Sequence, residues 1–191
     1  MVTSAKSDAG VSSFAGLRDL ILLTKLRRRI DFTGLPHLER LVVDSRQGLE
    51  DLHGHQSLRQ MQVFKLGAVG RPARVPTAPH LYDLTFAGGA RSRPHVDVSA
   101  LVGHTGVTRL GLSDCTVDSL EWLTTLASLG EVTVDNVRGP DGGPIDLTPL
   151  EHCPHLRAIS LNETLVSSSA PIERMVSRGN LYVSARQVIS P

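Results

Sequence analysis

One spacing recurs along the chain and dictates what it can fold into: a large aliphatic residue, two variable positions, a second aliphatic, one variable position and a third. It is clearest at Val107, Leu110 and Leu112. It returns at Leu17, Leu20, Leu22; Leu38, Leu41, Val43; Leu58, Met61, Val63; Leu81, Leu84, Phe86; Leu129, Val132, Val134; and Leu156, Ile159, Leu161. The last two members of each set alternate with period two, as a strand with one buried face requires. Beyond Leu112 the spacing changes, and Leu120, Leu123 and Leu126 recur every three residues, which predicts a short helical or 3₁₀ return. The unit from Val107 to Leu129 is 22 residues long. It cannot bury its own apolar stripe, so successive units must stack and cover one another.

The run Val107, Leu110, Leu112, Cys115 resembles a leucine-rich repeat, whose pattern is Leu-x-x-Leu-x-Leu-x-x-(Asn or Cys) with a period of about 20 to 29 residues. The resemblance implies an α/β architecture: a leucine-rich-repeat solenoid of about seven or eight units. A parallel β-sheet would line the concave side, and short helical or irregular segments the convex side. Successive first positions lie 21, 20, 23, 26, 22 and 27 residues apart. The excesses fall on Gly/Pro stretches at 67–80, 88–95 and 138–144, where a regular helix is excluded and a stacked array tolerates extra length. At the far end Leu181 and Val183 fit only the second half of the pattern, with Arg178 where the first Leu should stand, as suits a terminal unit.

Departures from the family pattern carry information too. Its Asn/Cys position is held by Lys25, Arg46, Leu66, Gly89, Cys115, Val137 and Thr164, so a continuous Asn ladder is absent, and Cys115 and Thr164 alone suit the usual role. Residues 1–13 are small and polar and read as a flexible arm, leaving 14–191 as the repeat domain. No cysteine-rich capping module stands at either end, so either residues 1–16 and 184–191 cover the edges or the chain is part of a longer one.

Composition narrows the class. Hydrophobic residues make up 40% of the chain but aromatics only 4%, so the core is aliphatic. The net charge of +1 gives no global attraction to nucleic acid or anionic membrane. The two cysteines, Cys115 and Cys153, both fall inside repeats, which argues against a disulfide framework. No apolar run reaches the ~18 residues of a membrane span, and MVTSAKSDAGVSS lacks a signal-peptide core. The expectation is a soluble protein of the cytoplasm.

Two other chemistries have candidate residues in the chain. A metal-dependent hydrolase would draw on Asp51, His53 and His55 and on Glu151, His152, Cys153 and His155, which are zinc-type donors. Their spacings match no zinc motif, and Pro-His-Leu occurs three times, at 36–38, 79–81 and 154–156, always on the step into a strand. That periodicity belongs to the repeat, and no metal or cofactor is expected. Gly-x-Ser-x-Gly, a P-loop, His-Glu-x-x-His and a dinucleotide fingerprint are all missing, so the chain does not read as an enzyme. Nucleic-acid binding through Lys25, Arg27, Arg28 and Arg29 lacks interleaved aromatic residues, and a solvated outer face with Leu26 and Ile30 turned inward explains the cluster.

What the resemblance implies is a non-catalytic protein-binding module, whether regulator, scaffold or toxin-neutralising immunity protein. On the strand alternation the concave face carries Arg40, Val42 and Asp44; Gln60, Gln62 and Phe64; Asp83 and Thr85; Arg109; and Glu131 and Asp135. These are the expected partner-contacting residues, with Arg40 and Phe64 as anchors. Ile21, Leu23, Val42 and Phe64 form an apolar group on the same side, which either residues 1–16 or a partner, including a second copy of the chain, would cover.

Overall fold

The computed structural model describes residues 10–23, 31–44, 49–64, 73–74, 76–89, 93–179 and 181–186 of the 191-residue chain. The strands are β1 Asp19–Leu22, β2 Arg40–Val43, β3 Gln60–Val63, β4 Ala73–Arg74, β5 Asp83–Ala87, β6 Val96–Asp97, β7 Arg109–Ser113, β8 Glu131–Asp135, β9 Ala158–Asn162 and β10 Tyr182–Arg186. Among the described residues, β1-β2-β3-β5-β7-β8-β9-β10 form one parallel sheet in chain order. The short strands β4 and β6 pair separately in the returns. This is a leucine-rich-repeat solenoid of eight rungs, at the upper end of the expected count.

The register explains why the spacing recurs. Leu20, Leu41, Met61, Leu84, Leu110, Val132, Ile159 and Val183 align across the sheet as one ladder. Leu22, Val43, Val63, Phe86, Leu112, Val134, Leu161 and Ala185 form a second. From Leu20 to Leu161 every member of both ladders is buried. Parallel strands ordinarily need both faces covered. Here the returns cover one face only, and the other is the polar half of each alternation.

Three-residue periodicity produces the 3₁₀ turns Leu49–Leu52, Ser99–Leu101, Glu121–Thr125 and Thr148–His152, each laying one or two apolar side chains on the ladders. In the last unit the return becomes a true helix, α1 Ala170–Ser177, which buries Pro171, Ile172 and Met175. A second motif, which the apolar spacing does not reveal, starts several returns: Asp-x-(Ser/Thr) at Asp31–Thr33, Asp97–Ser99 and Asp146–Thr148. In each the backbone N–H two residues on donates to the Asp Oδ1, at 3.0, 3.0 and 2.9 Å. Such Asx turns occupy a donor that a short 3₁₀ segment cannot satisfy itself.

Strand exits repeat as well. Asp114, Asn136 and Glu163 stand two residues after the second-ladder residues Leu112, Val134 and Leu161 and hold left-handed φ values of 49, 49 and 46°. The N–H groups of Asp114 and Asn136 donate to the carbonyls of Asp135 and Asn162 in the next rung, at 2.9 and 2.7 Å. At the same place in β5's unit, any side chain on Gly88 would strike the Asp114 carbonyl.

The next residue is the family's Asn/Cys position. Cys115, Val137 and Thr164 are all fully buried there. Thr164 does the polar work, since its Oγ1 lies 3.1 Å from the Val134 carbonyl and 2.9 Å from that of Asn162, and receives the Val137 N–H at 3.4 Å. Cys115 is an inert buried thiol, pushed up to about 12 by burial, with the neighbouring Asp114 carboxylate adding to the shift.

Two histidines join rungs. His55 Nε2 lies 2.9 Å from the Leu35 carbonyl while its Nδ1 accepts the Ser57 N–H. His104 repeats this with the Ala78 carbonyl at 2.8 Å and the Gly106 N–H. Both rings sit three residues before the first apolar position of their unit, Leu58 and Val107, and point at the equivalent residue one unit earlier.

Several expectations fall wholly or partly outside the described residues: most of the arm at 1–13, the basic cluster Lys25–Arg29 with Leu26 and Ile30, and much of the stretch 67–80. Of the arm, Val11–Ser13 form a 3₁₀ turn and Val11 is buried in the core.

Candidate functional site

The face opposite the returns is built from three rows. The first runs Asp19, Arg40, Gln60, Asp83, Arg109, Glu131, Ala158, Tyr182, and the second Ile21, Val42, Gln62, Thr85, Gly111, Thr133, Ser160, Ser184. The third, at the strand ends, includes Ala87, Ser113, Asp135 and Asn162. Neighbouring rungs lie ~4.8 Å apart, so side chains in one row touch, and a short one can be shielded by longer neighbours.

That spacing decides how the expected contact residues present themselves. Arg40, Gln60, Gln62, Phe64, Asp83, Thr85 and Asp135 are half-buried, and Arg109 and Glu131 exposed. Val42 and Asp44 differ from the expectation of open surface: they are only 5% and 9% accessible. Val42 stands in the row between Ile21 and Gln62, one rung away on either side, where longer neighbours shield a short branched side chain. Of the apolar group at the start of the array, Leu23 is open at 56% while Ile21 and Phe64 are half-buried.

Polar contacts organise the rows. Arg109 Nε pairs with Glu131 Oε2 at 3.0 Å. Gln60 Nε2 donates to the Tyr82 hydroxyl at 2.8 Å. Asn162 Nδ2 donates to Asp135 Oδ1 at 2.8 Å, and Asn136 bridges Arg93 and Asp114 along the strand ends. Asp83 is the odd carboxylate. Burial pushes it above its ordinary 3.8; the Arg109 charge pulls it back, Glu131 pushes it further up, and Arg40 lowers it.

The zinc-type donors are dispersed. His53 Nδ1 meets the Thr77 hydroxyl at 3.1 Å, and His55 is spent on the Leu35 carbonyl. Glu151 is held by Arg174 through two contacts of 2.8 and 3.1 Å. The Arg174 hydrogen bond keeps that carboxyl below its ordinary 4.5. Among the described residues no group of three or more His, Cys, Asp or Glu converges on a point where a metal ion could sit. No helix among them is long and apolar enough to cross a membrane.

One feature escaped the sequence reading. At the leading edge of the sheet, just before the strands begin, lies an open groove of about 610 Å³, lined by Tyr82, Thr108, Arg109, Gly130, Glu131 and Arg157 among others. The residues preceding a strand are not sorted by its alternation, so only the pairing of strands brings Tyr82, Thr108, Gly130 and Arg157 into one row.

No family model and no curated protein matches the sequence. Among solved structures the chain is similar to an internalin C2 of Listeria monocytogenes, a leucine-rich-repeat protein, with a TM-score of 0.50 and 17% identity over 94% of this chain and 84% of that one. The likeness is one of fold, and it agrees with the parallel sheet and 3₁₀ returns described above.

Proposed function

We propose that this leucine-rich-repeat chain is a non-catalytic module that binds a protein partner on the open face of its sheet. The observation that carries this reading is the register itself. Three rows of Arg, Asp, Gln, Thr, Phe and Tyr side chains stand on a sheet whose other face is fully engaged in the core. Such a surface loses little freedom on binding, and the Arg and Tyr side chains in its rows are types in which interface energy concentrates. The half-buried Asp83 adds support, because a carboxyl raised by burial on an open face is the kind of perturbed group that clusters at functional sites. The dispersal of the zinc-type donors, and the commitment of His55 and Glu151 to internal contacts, favour this reading over a hydrolase.

The test uses site-specific photocrosslinking in extracts of the source cells, with the crosslinker at Thr85 or Thr133 on the open face and at Ala100 or Val102 on the returns. A discrete adduct from the face positions alone is expected. With that partner in hand, Arg40→Ala and Phe64→Ala should each weaken binding by more than about 1 kcal/mol and Glu121→Ala should not. Adducts from the return positions alone would overturn the assignment of the face.

A further inference from the structure

We propose that the groove at the leading edge of the sheet is an anchoring subsite for a protein segment that brings in a carboxylate side chain. The proposal rests on the protein-binding reading above and says where that partner is gripped and by what chemistry. The groove exists because Gly130 interrupts the row Tyr82, Thr108, Gly130, Arg157, leaving a gap where its neighbours carry side chains. Its floor asks for nothing. The Gly130 N–H donates to Thr108 O at 2.9 Å, and the Gly130 carbonyl accepts from Arg157 and Ala158 at 2.8 and 3.1 Å. A segment can therefore lie on it without leaving a buried backbone group unpaired.

Both tyrosines of the chain stand at this edge. Tyr82 lines the groove with its hydroxyl fixed by Gln60, while Tyr182, paired with Ala158 on the last rung, is 72% exposed. In a protein this poor in aromatics, where Phe32, Phe86 and Trp122 are buried in the core, two tyrosines on one edge are a concentration of the residue type that anchors interfaces. The charge then sets the partner's chemistry. Arg109 is already neutralised by Glu131 at 3.0 Å, whereas Arg157 is exposed and makes no ion pair among the described residues. The groove thus has one uncompensated guanidinium, whose planar fork suits a carboxylate. Glu131 in the same groove and the near-neutral chain disfavour a run of phosphates.

The experiment selects random dodecapeptides displayed on phage against the immobilised full chain, then measures the enriched peptides on three variants. Gly130→Leu puts a side chain into the groove from a Cβ that meets only Thr108 O at 3.6 Å and His155 O at 3.8 Å, both ordinary contacts. Thermal unfolding confirms that it folds. Arg157→Glu reverses the charge, and Arg40→Ala reports on the distant half of the face. Enriched peptides should carry Asp or Glu and lose affinity at least tenfold on Gly130→Leu and on Arg157→Glu. Peptides rich in Lys or Arg, or binding that survives a filled groove, would overturn the subsite. So would an empty selection, or tighter binding of a dT12 oligonucleotide than of any peptide. Peptides lost on Arg40→Ala alone would sink the groove while leaving the protein-binding reading intact, and crosslinks confined to the returns would sink the latter.

Discussion

Thr164→Val replaces a buried hydroxyl by a methyl of nearly the same volume, so its cost isolates the polar ladder from packing. Thr164 is fully buried, and its Oγ1 receives the Val137 N–H at 3.4 Å while its proton can go to the Val134 or the Asn162 carbonyl. Valine orphans that N–H and leaves a carbonyl short of one partner. An unsatisfied buried group costs about 1–3 kcal/mol, and the long N–H contact belongs at the low end. The added buried methyl returns at most about 0.8 kcal/mol. The net loss is therefore about 1–2 kcal/mol. For a chain of this size that corresponds to a fall in melting temperature of about 2–8 °C, or a lower urea midpoint at unchanged slope. Amide exchange supplies the specific signature, because the Val137 N–H should exchange faster than its neighbours on β8. A variant as stable as wild type with Val137 equally protected would show that the Asn/Cys position of this array needs no hydrogen bond.

Leu110→Asp should cost more than about 3 kcal/mol, since Leu110 is 3% exposed in the ladder between Leu84 and Val132. Gly111→Ala, one residue on, should cost less than about 1 kcal/mol, its methyl meeting only the movable Thr85 side chain; urea denaturation compares the two. Glu163→Gly should stabilise by about 0.5 kcal/mol, because relief of a left-handed glutamate exceeds the added freedom of the unfolded chain, as a calorimetric melt would register. Two carboxyls should give opposite pH dependences in urea midpoints taken from pH 3 to 7. Asp83 is raised in the fold, so its contribution is present below 3.8 and lost as pH rises through the folded value, and Asp83→Asn should gain on wild type over that rise. Glu151 is depressed by Arg174, so its contribution is present above 4.5 and lost as pH falls through the folded value; Arg174→Ala should trail wild type above 4.5 and converge with it in acid.

The strands were legible because their signal is apolar and periodic: one face of each rung is buried, and burial selects Leu, Val, Ile and Met at fixed steps. The starts of the returns were not, because Asp31, Asp97 and Asp146 act through side-chain bonds to backbone N–H groups, which leave no hydrophobic trace. Left-handed Glu163 hides because glutamate is a poor sign of positive φ, whereas Asp114 and Asn136 are of the types enriched there. The rows of the open face could be written from alternation alone. Alternation assigns a side, however, and says nothing of what shields Val42 and Asp44 once there. The groove at Gly130 needed the pairing itself, since Tyr82, Thr108, Gly130 and Arg157 stand in different units and just outside the strands.

Constant register across units of unequal length has an evolutionary corollary. Leu84 and Leu110 are 26 residues apart in the chain, Val132 and Ile159 are 27, and Leu41 and Met61 only 20, yet each pair are next-door neighbours in the sheet. The differences in unit length are taken up by the returns and shift no row. The grid of side chains facing outward can therefore be edited one position at a time, with every other coordinate held still and the way the chain folds left untouched.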